Sequence, residues 1–381
     1  MRPGATPATV LDIDLPAFVH NIQAVRSRLA PTCQMMAVVK ADAYGHGAIP
    51  LAMTARRHGV DWLGVARCSE GVALRQAGIH GPILVLGPTW PEDIAALVAH
   101  RLTPVLGSLE EATAVQQEAG RYGRPYAIHL KIDTGMGRFG FLPAQFLALL
   151  DGLRHCAPLV CDGLMTHLAC ADTPDRQSAQ AQLTQFRTVL QYCAQRGFTP
   201  RYVHAANSAA IYRYPESHWN LVRAGIALYG AHPFEAPEAA PLRPIMRWIA
   251  HLVRIQELPA GYGIGYGHTF TTRRASRIGT LPVGYADGFA RSLSNRAEVL
   301  VHGQRVPVVG QICMDMCMID VTDVPEARVG DAVVLLGTQG QGQVSATELA
   351  AWSGRIPYEV FCAIGHRVPR HYVDLEATPC L

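Results

Sequence analysis

Lys40 closes the apolar run Gln34-to-Val39 and is followed at once by "ADAYGHG", so an amine stands at a predicted strand end. A lysine there is partly desolvated, which lowers its pKa and makes its amine available for a Schiff base. Position alone is equally satisfied by a solvated lysine. Other strand-like ends add complementary groups. "GLMTHLA" supplies His167, "HAANSAA" supplies His204, Asn207 and Ser208, and "LVRAGIALYG" supplies Arg223 ahead of Gly225-Ile226. Ser208 precedes an apolar helical segment, and Gly225-Ile226 could present free backbone N–H groups, so both could bind a phosphate. Any one of these alone reads as a cap or a core contact. Together with Lys40 they describe a phosphate-bearing aldehyde cofactor held by an amine.

"GMGRFG", residues 135 to 140, also matches G-x-G-x-x-G between a strand and a helix, with Asp162 at a spacing suited to a ribose contact. Placement argues against a dinucleotide. The motif follows the fifth strand of a series, where a Rossmann unit needs the first, and Asp162 falls inside the next strand where it should close it.

These residues need a frame that brings strand ends to one face. From about residue 30 to 230, eight short apolar runs alternate with amphipathic segments: Gln34-to-Val39, Trp62-to-Ala66, Ile83-to-Leu86, Thr103-to-Leu106, Ala127-to-Ile132, Leu159-to-Thr166, Tyr202-to-Ala205 and Leu221-to-Ala224. "SLEEATAVQQEAG" has Ser108 as its N-cap and Gly120 as its stop, and a longer helical pattern ends at Gly197. Eight strand–helix repeats predict an α/β fold, a (β/α)8 TIM-like barrel, with functional groups at the strand ends. After residue 240 the runs become short, β-branched and punctuated by Gly and Pro, which predicts a mainly β second domain. Its boundary falls near Phe234 to Pro244, giving domains of residues 1–240 and 241–381. One helix, "SATELAAWSG", interrupts the second, with Ser345 and Glu348 in capping-box spacing.

Composition bounds the function. The 381 residues are 49% hydrophobic and 17% charged with a net charge of +3, which describes a globular chain. Basic residues come singly or in pairs such as Arg56-Arg57, so nucleic acid and anionic membrane surfaces are not expected partners. Ten cysteines without a C-x-x-C pair read as reduced packing residues, with no metal site expected. No apolar signal core and no membrane-length apolar run are present, so a soluble cytoplasmic protein is expected.

"AVVKADAYGHG" resembles the pyridoxal-phosphate lysine motif of alanine racemases, a fold type that joins a (β/α)8 barrel to a β domain. The resemblance continues in order through "IDLPAFVHN", "KIDTGMGRFG", "THLACAD", "HAANSAA", "VRAGIALYG", "GIGYGHTF", "PVGYADGFAR", "GQICMDMCMID" and "IPYEV". It covers nearly the whole chain and implies an N-terminal strand able to pack on the C-terminal domain.

The resemblance also implies roles, residue by residue. Lys40 matches the lysine that carries pyridoxal 5'-phosphate and moves a proton on one face of the substrate α-carbon. Tyr266 matches the tyrosine serving the opposite face from the other subunit of a homodimer, and its phenol would need a depressed pKa. Tyr44, Asn207, Ser208, Gly225, Ile226 and Tyr358 match cofactor-binding positions, most of them at the phosphate. Arg223 matches the arginine at the pyridine nitrogen, and His167 a residue that helps orient it. A guanidinium there disfavours a second positive charge and weakens the electron sink, which suits racemisation over transamination or decarboxylation. Arg138 matches an arginine near the substrate carboxylate, and Lys131 a lysine often carbamylated in the family. Met314 and Asp315 match partner-subunit residues lining the substrate site, and Tyr285 an entrance-lining tyrosine.

The implied activity is interconversion of L- and D-alanine, supplying D-alanine for peptidoglycan. Tyr358 is bulky where relatives acting on serine carry a smaller polar residue, which favours alanine over a broad substrate range. His268 beside Tyr266 departs from the family pattern. A non-catalytic pyridoxal-phosphate-binding barrel would lack the β domain and Tyr266. A basic-amino-acid decarboxylase would be expected to place an acidic residue where Arg223 stands.

Overall fold

The computed structural model describes residues 7–154, 156–232, 234 and 242–373. Contacts divide the chain into two compact units, Met1–Phe18 with Tyr44–Gly47 and Arg243–Leu381, and Val19–Ala43 with Ala48–Leu242. The first strand, β1 (Thr9–Asp14), belongs to the former.

The latter is the barrel. Its strands are β2 (Gln34–Val38), β3 (Trp62–Val65), β4 (Ile83–Val85), β5 (Thr103–Leu106), β6 (Tyr126–Lys131), β7 (Leu159–Met165), β8 (Tyr202–His204) and β9 (Leu221–Ala224). All pair in parallel, and the hydrogen-bonded path runs β9-β2-β3-β4-β5-β6-β7-β8. Every run named from sequence is a strand at its expected place. α1 (Leu15–Arg26) precedes β2, and between the strands lie α2 (Lys40–Gly45), α3 (Ala48–Arg57), α4 (Cys68–Gln76), α5 (Ile94–Ala99), α6 (Leu109–Gly120), α7 (Pro143–Arg154), α8 (Gln177–Gln195) and α9 (Ser208–Arg213).

The strands are predominantly apolar because both faces are largely covered, with His129, Lys131, Asp162, His204 and Arg223 among the polar exceptions. Inside, Met36, Trp62, Leu84, Val105, Met165, Tyr202 and Leu221 pack on one another. Outside, Phe146 and Leu150 of α7 and Phe186 and Val189 of α8 cover Ile128, Leu130 and Leu164. Full burial of one such side chain contributes about 1.5–3 kcal/mol. Helix starts follow local chemistry: Ser108 Oγ accepts from the Glu111 N–H at 3.2 Å and caps α6.

The second unit holds β10 (Met246–His251), β11 (Arg254–Leu258), β12 (Gly263–Ile264), β13 (Phe270–Thr271), β14 (Ser276–Leu281), β15 (Glu298–Val301), β16 (Gln304–Pro307), β17 (Cys317–Asp320), β18 (Ala332–Gln339), β19 (Gly342–Val344) and β20 (Arg370–Val373). Its main sheet runs β16-β15-β18-β10-β1-β20 with β19 on β18, and β1 lies antiparallel to β10 and parallel to β20. A three-stranded sheet β11-β14-β17 and the β12–β13 hairpin complete it. The Ser345–Glu348 capping box starts α10 (Ala346–Ser353), with bonds of 3.1 and 2.8 Å. A second helix, α11 (Pro357–Ala363), was not expected; it is a seven-residue element whose one start signal is Pro357 at its first turn. Every cysteine among the described residues is a free thiol. Among those residues, no helix is long and apolar enough to cross a membrane, and no His, Cys, Asp and Glu cluster is set to hold a metal.

Candidate active site

Lys40, half-buried, leaves β2 through a turn of reversed hand. Ala41, Asp42, Ala43 and Tyr44 carry φ of 51°, 52°, 52° and 54°. Left-handed backbone costs an L-residue roughly 1–2 kcal/mol, so four in succession persist only where the surroundings impose them. The Ala43 N–H donates to Val39 O at 2.9 Å, the Ala48 N–H to Asp42 Oδ1 at 2.7 Å, and the Ala41 N–H to Glu70 Oε1 at 2.7 Å.

Arg223, on β9, is buried with no carboxylate among its bonded partners. Its Nη1 donates to His204 Nδ1 at 2.9 Å, and its Nη2 reaches Ala205 O at 2.7 Å, Thr166 O at 2.9 Å and His167 Nδ1 at 3.1 Å. Among the described residues no acceptor stands at its Nε. Burial pulls its pKa down to about 9, still above neutrality, so the guanidinium is charged. A second imidazole lies behind the first, His204 Nε2 to His129 Nδ1 at 2.8 Å. His129 carries no mark of function in sequence; a polar residue inside the apolar run of β6 is its one signal.

His167 reports the field at the strand ends. Burial drives its pKa well below the ordinary imidazole value, and Arg223, Arg138, Lys131 and Lys40 push it the same way. Four cations from the ends of β2, β6 and β9 thus act on one ring. Asp133, the carboxylate beside them, is spent on its own loop: Oδ1 accepts from the N–H groups of Gly135 (2.9 Å), Met136 (2.8 Å) and Gly137 (3.1 Å), and Oδ2 from that of Arg138 (3.0 Å). These bonds outweigh its burial and hold Asp133 down at about 2. The "GMGRFG" glycines therefore wrap a carboxylate of their own chain. Lys131 is buried; burial and then Arg138 pull it down to about 8, and its Nζ donates to Phe139 O.

Asn207 and Ser208 follow β8. Asn207 Oδ1 accepts from the Ala210 N–H at 3.0 Å and caps α9. Ser208 Oγ accepts from the N–H groups of Gly225 (2.9 Å) and Ala227 (3.4 Å), which leaves its proton to donate. The Gly225 N–H, expected to be free, is therefore engaged. Ile226 is buried beside it.

The other unit holds the remaining candidates. The Tyr44 and Tyr358 rings lie 5.8 Å apart, and burial pushes the Tyr44 phenol up. Gly45, with φ of 79°, allows the backbone to meet Phe361 O, where a Cβ would stand only 2.4 Å away. Tyr266 is 72% exposed, in the turn between β12 and β13, where Gly265 and Gly267 take φ of 66° and 68°. The His268 ring packs on Gly263 in the same hairpin. Met314 and Tyr285 are exposed, on loops joined by Tyr285 N–H to Cys313 O at 3.1 Å and Ala286 N–H to Met314 O at 3.0 Å. Asp315 pairs with Arg367 at 2.8 Å.

A TIM-like barrel whose strand ends carry a half-buried lysine and further cations, in one chain with a mainly β unit, is the plan of a two-domain barrel enzyme. The family model "Alanine racemase, N-terminal domain" matches residues 13–233, and "Alanine racemase, C-terminal domain" matches residues 245–372. The alanine racemase of Symbiobacterium thermophilum is 45% identical over 375 residues, covering 98% of this chain and 97% of the relative. That of Desulfovibrio desulfuricans is 43% identical over 364 residues, covering 95% and 97%. Among solved structures, the alanine racemase of Clostridium difficile 630 superposes with a TM-score of 0.93 at 36% identity, covering 97% of this chain and 96% of that one. The Bartonella henselae alanine racemase, solved with covalently bound pyridoxal phosphate, gives 0.88 at 28% identity, covering 97% and 100%. The chain belongs to the alanine racemase family.

Proposed function

We propose that this protein is a pyridoxal 5'-phosphate-dependent racemase that interconverts L- and D-alanine. The observation that carries the reading is that the cations Lys40, Arg138 and Arg223 all act on the buried His167. Such a field fits a dianionic phosphate and a substrate carboxylate, and Ser208 keeps a hydroxyl proton to donate. The residues fit the cofactor. When bound, pyridoxal phosphate supplies an electron sink that acidifies the α-hydrogen of an attached amino acid.

The chain's own groups then divide the work. Lys40 would hold the cofactor through its amine and would move a proton on one face of the substrate α-carbon. On the other face the proton is held by Tyr266 of the partner subunit, in a homodimer with shared sites. Two groups are needed because a single base tends to return the proton to the face it left, and each typically contributes 10²–10⁴-fold. Arg223 would face the cofactor's pyridine ring as a cation and would disfavour a second positive charge there, which limits side reactions. His167 holds Arg223 by accepting at Nδ1. Tyr44, Asn207, Ser208, Gly225, Ile226 and Tyr358 would bind the cofactor, with Ser208 as the hydroxyl donor because the Gly225 N–H already bonds its Oγ. Arg138 takes the substrate carboxylate, Met314 and Asp315 of the partner line the site, and Tyr285 stands at its entrance. Lys131, with its lowered pKa, is set to add carbon dioxide and become an anion that orients Arg138. The working division is a cofactor-binding domain within residues 1–240 and a β domain of residues 241–381 that also takes in the strand Thr9–Asp14, acting in the cytoplasm to supply D-alanine for peptidoglycan.

The test is chiral analysis of the protein incubated with pyridoxal phosphate and, separately, L-alanine, L-serine, L-lysine and L-arginine in deuterated water. Equal enantiomers of alanine with α-deuterium and no loss of amino acid are expected. Unchanged L-alanine with racemised serine or lysine would remove the substrate assignment.

A further inference from the structure

Glu70 occupies the third position of α4, and its carboxylate serves two loops. Oε2 accepts from the N–H groups of Ala66 (2.7 Å) and Arg67 (3.0 Å), where β3 passes into α4. Oε1 accepts from the Ala41 N–H at 2.7 Å. Ala41 is the first left-handed residue of the turn and the immediate neighbour of Lys40. One carboxylate thus caps its own helix and fastens the reversed turn at the residue where its hand changes.

The device recurs two strands on. Glu111, at the third position of α6, accepts from the Gly107 N–H through Oε2 at 2.7 Å and from the Thr89 N–H through Oε1 at 2.8 Å. It caps α6 and ties down the loop after β4. The geometry is the same and the cargo differs: the loop after β4 carries none of the candidate site residues, whereas the loop after β2 carries Lys40.

We infer that Glu70 is a positioning residue for Lys40, holding the left-handed turn so that the amine keeps one direction. This deepens the reading of Lys40 as the cofactor-bearing amine and rests on it. A carboxylate offers acceptors on both oxygens, so it can take all three N–H groups at once. Glutamine offers one oxygen and turns an NH2 toward the other loop. Aspartate, one methylene shorter, can keep the cap on α4 but falls short of Ala41.

The experiment compares Glu70→Gln with Glu111→Gln in the full chain. Amide hydrogen exchange across residues 39–47 is measured in the cofactor-free protein. Covalent attachment of pyridoxal phosphate to Lys40 is timed by borohydride fixation and mass spectrometry of the Lys40 peptide. Both variants replace one carboxylate oxygen by an NH2 in the same geometry and should fall in Tm alike. Only Glu70→Gln should speed exchange at Ala41 and slow attachment at Lys40, each by about tenfold or more, as loss of a charge-assisted hydrogen bond implies. Equal attachment rates in the two variants, or unchanged exchange at Ala41, overturn the proposal. If Glu70→Gln does not fold, Glu70→Asp decides by the same two readouts. If the wild-type protein fixes no cofactor on Lys40, the reading of Lys40 fails, and exchange at Ala41 still decides the clamp.

Discussion

Arg223 donates to His204 Nδ1 at 2.9 Å, and that bond dictates the proton positions on two buried rings. A guanidinium has no acceptor, so His204 Nδ1 must be bare and its proton must sit on Nε2. His204 Nε2 then donates to His129 Nδ1 at 2.8 Å, which places the His129 proton on Nε2, a buried atom with no partner among the described residues. Nitrogen-15 NMR of the imidazoles should show both rings as neutral Nε2–H tautomers. His129→Asn, which can still accept from His204, should keep the His204 Nε2 proton protected, and His129→Leu should expose it. Gly163→Ala should break the chain by another route, since a Cβ there would stand 2.5 Å from the His129 ring, and the overpacking costs about 1–3 kcal/mol.

The same rings tie stability to pH. Burial, with Arg223 adding to it, brings the folded pKa of His129 down to about 3, and His167 and His204 are shifted in the same direction. Their unfolded value is about 6.5. Below that value the unfolded chain binds protons that the folded chain refuses. The stabilisation is therefore complete above pH ~6.5 and is lost as pH falls, by about 1.4 kcal/mol per unit for each ring. Unfolding free energies from urea titrations at successive pH values should decline in acid, and the slope of that decline should shrink by about one proton in His129→Gln. A slope unaffected by that substitution would show that the ring is not buried neutral.

Much of the barrel was legible because each strand is predominantly apolar on two faces and each is bounded by a turn or a cap, as at Ser108. The strand-end candidates were legible for the same reason, since naming a strand names its end. Local pattern did not reveal the reversed turn at Ala41 to Tyr44: alanine and tyrosine carry no glycine-like signal, and the turn's bond to Glu70 comes from an element 29 residues on. Nor did it reveal that Tyr44–Gly47 groups with a unit formed mainly by residues two hundred positions later. Such grouping depends on long-range backbone contacts, for example Arg370 donating to Gly45 O at 3.1 Å. His129 was missed because a histidine among apolar neighbours reads as core until its partner at His204 is placed.

Asp133→Asn should loosen the loop that carries Arg138. Four backbone N–H groups converge on this carboxylate, and hydrogen bonds to a charged group are worth about 1.5–3 kcal/mol. Stability should fall by about that amount in denaturant titrations. The KM for alanine should rise more than kcat falls if, as proposed, Arg138 takes the substrate carboxylate. An unchanged KM would separate the loop from the substrate carboxylate.

Lys131 should take up carbon dioxide. With burial bringing its pKa to about 8, a usable fraction of the amine is neutral near physiological pH, and carbamylation forms an N–C bond while releasing one proton. Carbon-13 NMR in labelled bicarbonate should show one carbamate signal that grows as pH rises through about 8. It should be absent in Lys131→Ala, whose KM for alanine should rise roughly tenfold as Arg138 loses a charged partner. A wild-type protein without the signal would leave Lys131 as a buried amine bonded to Phe139 O.

A shared active site can be tested by mixing inactive parents. Tyr266 is exposed on its own unit at the tip of a glycine-hinged turn, as a residue serving a neighbouring subunit would be. Lys40→Ala and Tyr266→Phe should each lose nearly all racemisation. If each site takes Lys40 from one subunit and Tyr266 from the other, half of the dimers formed from an equal mixture are mixed. Each mixed dimer then has one intact site and one doubly defective site. Mixing under conditions that exchange subunits should restore about a quarter of the wild-type rate. If both residues of a site came from one chain, every mixed dimer would hold two defective sites and no activity would return.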